Sequence, residues 1–109
     1  MDKKVKEFGK ATAAQIKEWK DAHGDVRLMQ QMDEDGNVHN TYFRIPKIDD
    51  KSYAAKAGGD DGLKIATALY NQCRLGGSDE VSENDQLKQG VMQKIVQLAK
   101  PIDGDVKKL

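Results

Sequence analysis

At 109 residues, with 38% apolar and 33% charged residues and 18 basic side chains balanced by 18 acidic ones, the chain is long enough for one domain with a single core and too short for two. A net charge of zero provides no concentrated positive field, which disfavours a nucleic-acid partner. The single cysteine, Cys73, excludes an intramolecular disulfide framework and a multi-cysteine metal site, and the short apolar runs suit neither a membrane span nor a secretory leader; a cytoplasmic protein with no membrane partner is expected.

Residues 1–11 are rich in lysine, carry Val5 and Phe8 as large apolar side chains and contain Gly9, which interrupts a helix; this stretch reads as a flexible N-terminal arm. Thr12-Ala13-Ala14-Gln15 has the form of a capping box and predicts a helix start. Ile16, Trp19 and His23 then fall on one stripe, with Trp19 as the expected buried anchor and Gly24 as the stop. From Asp25 the period changes to two: Val26, Leu28, Gln30 and Met32 alternate with Arg27, Met29, Gln31 and Asp33, the pattern of a strand. Asp33-Glu34-Asp35-Gly36-Asn37 supplies the turn, and the chain returns over 38–45. Thr41-Tyr42-Phe43-Arg44-Ile45-Pro46 is the densest β-forming run, closed by a proline that cannot donate to a ladder. A hairpin of two strands is marginal in water, so helices or another chain's strand must cover it.

The remainder reads as helical. Asp49-Asp50 can cap a short helix over 51–57, terminated by Gly58-Gly59. Asp60-Asp61 opens a second over 62–75, with Leu63, Ala66, Leu69, Tyr70 and Cys73 on one face and Gly76-Gly77 at its end. Ser82-Glu83-Asn84-Asp85 starts the last helix, whose stripe of Leu87, Val91, Ile95 and Leu98 is widened by Met92, Val96 and Ala99 before Pro101 stops it. The predicted fold class is α+β: an N-terminal helix, an antiparallel β-hairpin, then two to three C-terminal helices packed on it. One domain spans 12–100, followed by a mobile tail over 101–109. The expected core comprises Trp19, Leu28, Phe43, Ile45, Leu63, Leu69, Leu87, Val91 and Ile95.

No stretch carries local catalytic or ligand chemistry. Placing Gly36 at the sixth position of a calcium loop puts Gln31 at the first and Tyr42 at the twelfth, where a carboxylate is needed. His23 and His39 lack local metal-ligand or Ser-His-Asp spacing and read as a helix-terminal and a strand residue. Cys73 sits on an apolar helical face as a small core residue, and the two carboxylates in Gly58-Gly59-Asp60-Asp61-Gly62 would repel phosphate. The expectation is no catalytic residue, no cofactor and no metal. The breadth of the last helix's stripe admits two readings, internal core or a partner-binding face. On the second reading the candidate binding residues are Tyr42, Arg44, Val91, Met92, Ile95 and Val96, with self-association through the hairpin edge or the last helix.

Three strings carry a family resemblance: Gln15-Ile16-Lys17-Glu18-Trp19-Lys20 followed by His23-Gly24; Tyr42-Phe43-Arg44 with Pro46; and Leu69-Tyr70-Asn71-Gln72-Cys73-Arg74-Leu75-Gly76-Gly77-Ser78-Asp79-Glu80. In that order the chain resembles small proteins of tailed phages and prophages of gut bacteria, similar to phage tail assembly chaperones. The resemblance covers roughly 15–99; Arg74 stands where an aromatic residue is more usual, and the tail lacks a longer charged extension. It implies a non-enzymatic protein of the host-cell cytoplasm that keeps the tape-measure protein soluble and helps recruit tail-tube subunits. The alternative is a small interaction or regulatory module with a different phage or host protein partner.

Overall fold

The computed structural model describes residues 5–109; residues 1–4, the beginning of the expected arm, lie outside the described residues. In chain order the elements are β1 (Glu7–Phe8), α1 (Ala13–His23), β2 (Val26–Met32), β3 (Val38–Arg44), α2 (Ile48–Gly58), α3 (Gly62–Cys73), β4 (Arg74–Gly77), α4 (Asp79–Glu83) and α5 (Asp85–Leu98). Helix, hairpin and a helical C-terminal half follow one another in the predicted α+β order.

The local signals act as their chemistry requires. Thr12 Oγ1 accepts the Gln15 N–H at 3.1 Å while Gln15 Oε1 accepts the Thr12 N–H at 3.0 Å, closing the capping box that starts α1, and Gly24 ends the helix. At the hairpin turn Asp33 Oδ1 accepts the N–H groups of Asp35 and Asn37, each at 2.9 Å, and β2 then pairs with β3 from Val26↔Arg44 to Met32↔Val38.

The hairpin is not left as two strands. β3 is central: β2 occupies one edge, and the other is shared by β1, parallel at Glu7↔Val38 and Phe8↔His39, and β4, antiparallel at Thr41↔Gly77 and Tyr42↔Gly76. The lysine-rich segment expected to be a loose arm therefore supplies a strand. The helix expected to run to residue 75 stops at Cys73, and Arg74–Gly77 turns into sheet. Both added strands are too short for an alternation pattern, and glycines disguise β4 as a turn. They are needed there: a Cβ on Gly76 would stand 2.9 Å from the Trp19 indole, and Gly77, at φ +131°, lies against the Asn40 carbonyl. Among the described strands, only β3 is paired on both sides; β2 is the longest strand with an open edge, while the open edges of β1 and β4 are two and four residues long.

β3 is covered on both faces, and His39, Asn40, Thr41, Tyr42 and Phe43 are all buried. Tyr42 meets Trp19 of α1 with ring centroids 5.3 Å apart, while Phe43, on the opposite face, joins Leu69, Tyr70, Cys73, Val81, Leu87, Val91, Met92 and Ile95 in the core. Of the expected core, Phe43, Leu69, Leu87, Val91 and Ile95 are buried. Trp19 and Ile45 are half-buried, because α1 packs only over the outer face of the sheet and buries no residue completely. Leu28 is 48% exposed and Leu63 62% exposed. The core-facing residues of β2 are Met29 and Gln31, opposite Thr41 and His39, so the face predicted through Leu28 and Met32 is the outward one.

Among the helices, α2 begins at Ile48 rather than residue 51, with Lys47 as its N-cap and the Asp50 carboxylate accepting the Lys47 N–H at 2.8 Å. Asp61 Oδ1 caps α3 by accepting the Leu63 and Lys64 N–H groups at 3.0 and 3.2 Å. The last predicted helix forms as α5, capped by Asn84 accepting the Leu87 N–H at 3.1 Å, and the five-residue α4 before it is an element the sequence reading did not contain. Residues 101–109 have no regular structure and are exposed. Among the described residues no helix is long and apolar enough to cross a membrane.

Candidate functional site

Five of the six residues predicted to bind a partner have other occupations in the fold. Tyr42 lies under Trp19, and its hydroxyl accepts the Ala11 N–H at 3.3 Å. Arg44 is clamped: Nη2 donates to Asp50 Oδ1 at 2.8 Å and to the Gln72 carbonyl at 3.1 Å, and Nη1 pairs with Asp50 Oδ2. The Arg44 guanidinium in turn holds the Asp50 carboxyl below the usual carboxylate range. Val91, Met92 and Ile95 are core residues, because α3, α4 and the inner face of the sheet together cover the broad stripe of α5. Arg44 and Val96 keep partial exposure, and of the two Val96 makes no ion pair or side-chain hydrogen bond.

What remains open is a groove between α3 and α5. Leu63 and Ala66 form one wall, Val96 and the edge of Met92 the other, and Gln89, Gln93, Gln97 and Lys100 rim it. Leu63 also borders a second shallow groove with Tyr53 and Ala57, so it is a ridge between two apolar depressions. Tyr53 is exposed, as is Ile48 at the start of α2. The result is a partly apolar surface edged mainly by neutral amides, the surface chemistry of a protein contact.

A second constellation is polar and had no local signal in the sequence. His39 Nδ1 lies 2.8 Å from Ser78 Oγ, and Nε2 lies 2.7 Å from Asp33 Oδ2 and 3.9 Å from Glu80 Oε2. The three elements that contribute are the hairpin turn, the central strand and the β4–α4 junction; Ser78 is 39 positions from His39, which is why no motif spacing exposed the cluster. Phe8 of β1 stacks on the imidazole at 5.2 Å. The hydrogen bond from His39, reinforced by the Asn37 N–H, lowers the Asp33 carboxyl from its ordinary range. Ser78 is buried, and its hydroxyl lies on Nδ1 while the Asp33 carboxylate lies on Nε2, the reverse of the Ser-His-Asp arrangement.

Cys73 is fully buried between α3 and the core, and burial pushes its thiol up to about 11, so it is not an activated thiolate. Neither a protein-family model, nor a curated protein, nor a solved structure matches this chain.

Proposed function

We propose that this protein is a non-enzymatic binding protein of the phage tail assembly chaperone type, which holds a tape-measure protein soluble and helps recruit tail-tube subunits. The observation that supports this reading is the α3–α5 groove: Leu63 stands 62% exposed on its wall with Val96 opposite, beside exposed Tyr53. Leaving a leucine and a tyrosine in water on neighbouring helices forgoes roughly 1.5–3 kcal/mol per side chain that burial would contribute. A client that presents one apolar helical stripe recovers that free energy by lying between α3 and α5, with the glutamine rim satisfying its flanking polar groups. The predicted capture face thus shifts from Val91, Met92 and Ile95, which are interior, to Leu63 and Val96.

Co-expression with a tape-measure protein tests the reading, comparing wild type with Leu63→Glu and Val96→Asp. Leu63 is the second residue of α3, where an acidic side chain suits the helix dipole, so Leu63→Glu leaves the fold intact. Wild type is expected to keep the client in the soluble fraction and Leu63→Glu to lose it. If the folded Leu63→Glu and Val96→Asp proteins both retain the client, the groove is not the capture face; if wild type itself fails to retain it, the chaperone reading gives way to an interaction module with another partner.

A further inference from the structure

We infer that Asp33, His39 and Glu80 form a binding site for a divalent transition-metal ion at the junction of the hairpin turn and α4. One carboxylate oxygen from each acid and the imidazole nitrogen lie within 4.8 Å of one another, close enough for a single ion to draw them together. The imidazole is fixed before any ion arrives: its ring is fully buried, Phe8 stacks on it, and Ser78 Oγ holds Nδ1 at 2.8 Å. That leaves Nε2 turned to the carboxylates. A ligating histidine characteristically has its second nitrogen held in this way, which sets the tautomer and the ring plane.

Asp33 is oriented equally well. Its Oδ1 is committed to the N–H groups of Asp35 and Asn37, so Oδ2 is the oxygen directed to the imidazole. Glu80 brings a second carboxylate, 60% exposed and making no hydrogen bond of its own among the described residues, to 3.9 Å from the same nitrogen. A structural His–Asp pair has no need of that second negative charge. A divalent cation neutralises both carboxylates, with His39 neutral, its proton on Nδ1 donated to Ser78 Oγ and the Nε2 lone pair on the metal. Asp33 and Glu80 border a polar groove that Gln31, Glu34 and Asn84 also line, with the buried His39 behind them. One imidazole with two carboxylates suits Zn²⁺ and its first-row neighbours, whereas Ca²⁺ and Mg²⁺ prefer all-oxygen shells.

The test is Zn²⁺ titration of the full chain by calorimetry, with equilibrium dialysis for stoichiometry and Mg²⁺ as comparison. Wild type is expected to bind one Zn²⁺ per chain and to melt higher as Zn²⁺ rises, with no matching shift in Mg²⁺. Glu80→Gln removes a ligand without removing a hydrogen bond, so its metal-free melting should match wild type while its affinity falls at least about tenfold, since loss of a supporting outer partner alone costs 10- to 100-fold. His23→Gln, remote in sequence from the three ligands, should bind as wild type does. Absence of saturable one-to-one binding, unchanged affinity in Glu80→Gln, or an equal loss in His23→Gln would each overturn the assignment and leave the cluster a structural latch.

Discussion

Replacing Asp50 by Asn probes the joint on which the end of β3 and the two following helices meet. The Arg44 and Asp50 side chains are 14% and 10% exposed, and the pair ties the last residue of β3 to the first turn of α2 and, through Gln72, to the end of α3. The amide of Asn keeps one oxygen, for the Lys47 N–H and Arg44 Nη1, and sets its NH2 against the donor Arg44 Nη2, so the substitution removes the charge and one arm of the bidentate pair. Breaking a buried ion pair costs about 3–5 kcal/mol because a charge is left unpaired. The residual exposure and the surviving bond from Arg44 to the Gln72 carbonyl bring the expectation to about 2–3 kcal/mol, out of a total of roughly 5–15 kcal/mol for a domain. Urea unfolding followed by the fluorescence of Trp19 measures it, and a cycle with Arg44→Met isolates the coupling. The pH dependence supplies the sign. Arg44 depresses the folded-state value of Asp50, so the stabilisation is fully present above the unfolded value near 3.9 and is lost as pH falls through the lower folded value. Wild type and Asp50→Asn should therefore converge in acid and differ at neutral pH. A neutral-pH difference below about 0.5 kcal/mol, the range of an ordinary surface change, or parallel acid limbs for the two proteins, would refute the reasoning.

Gly77→Ala is expected to destabilise more than Gly76→Ala, because Gly77 combines φ +131° with a backbone carbonyl in the path of the new methyl, a strain of about 1–3 kcal/mol before the clash; equal urea midpoints would count against this. Gly76→Ala should instead displace the indole 2.9 Å away and shift Trp19 emission, and an unchanged spectrum would contradict the contact. Ile95→Ala, at a fully buried site, should cost about 2–5 kcal/mol, whereas Leu63→Ala should stay within about 0.5 kcal/mol of wild type. Cys73, buried and with its thiol raised to about 11, should react with a thiol reagent at neutral pH far more slowly than in urea; matching rates would show that the α3 face opens freely.

The parts of the fold legible in the sequence are those specified within a few residues. The Thr12 capping box, the Asp33–Asn37 turn, the Asp61 cap and the stripe of α5 each rest on contacts between near neighbours, and each forms where its chemistry stands. The parts that were not legible depend on distant partners. β1 and β4 exist because β3 has an edge to fill, and no pattern in Glu7–Phe8 or Arg74–Gly77 announces that edge. The inward face of β2 was ambiguous because Leu28 and Met29 are adjacent and both apolar; the register Met29↔Thr41 decides it. The polar cluster was invisible for the same reason as β4, since its members converge only when the β4–α4 junction is laid beside β3. The broad stripe of α5 was read correctly as apolar, but its width reflects neighbours on several sides.

The strings that carry the resemblance have a physical relation in the structure. Trp19 from the first touches Tyr42 from the second and lies against Gly76 from the third, while Gly77 abuts the backbone of Asn40 and Thr41. Arg44 of the second string donates to the Gln72 carbonyl of the third. These residues build the scaffold: an indole seated over a tyrosine, glycines that let strand and indole approach, and an arginine that locks the end of the sheet to two helices. Tyr42 and Trp19 lie on the face of the sheet opposite Phe43 and the α5 core, so this constellation is separate from the groove where Leu63 and Val96 face solvent. A likeness confined to the scaffold strings bears on how the chain folds, and under the function proposed above client choice would rest with side chains outside them, Leu63 and Val96 first. Substitutions in the scaffold should consequently change stability and client binding together, while substitutions on the groove walls should change binding alone.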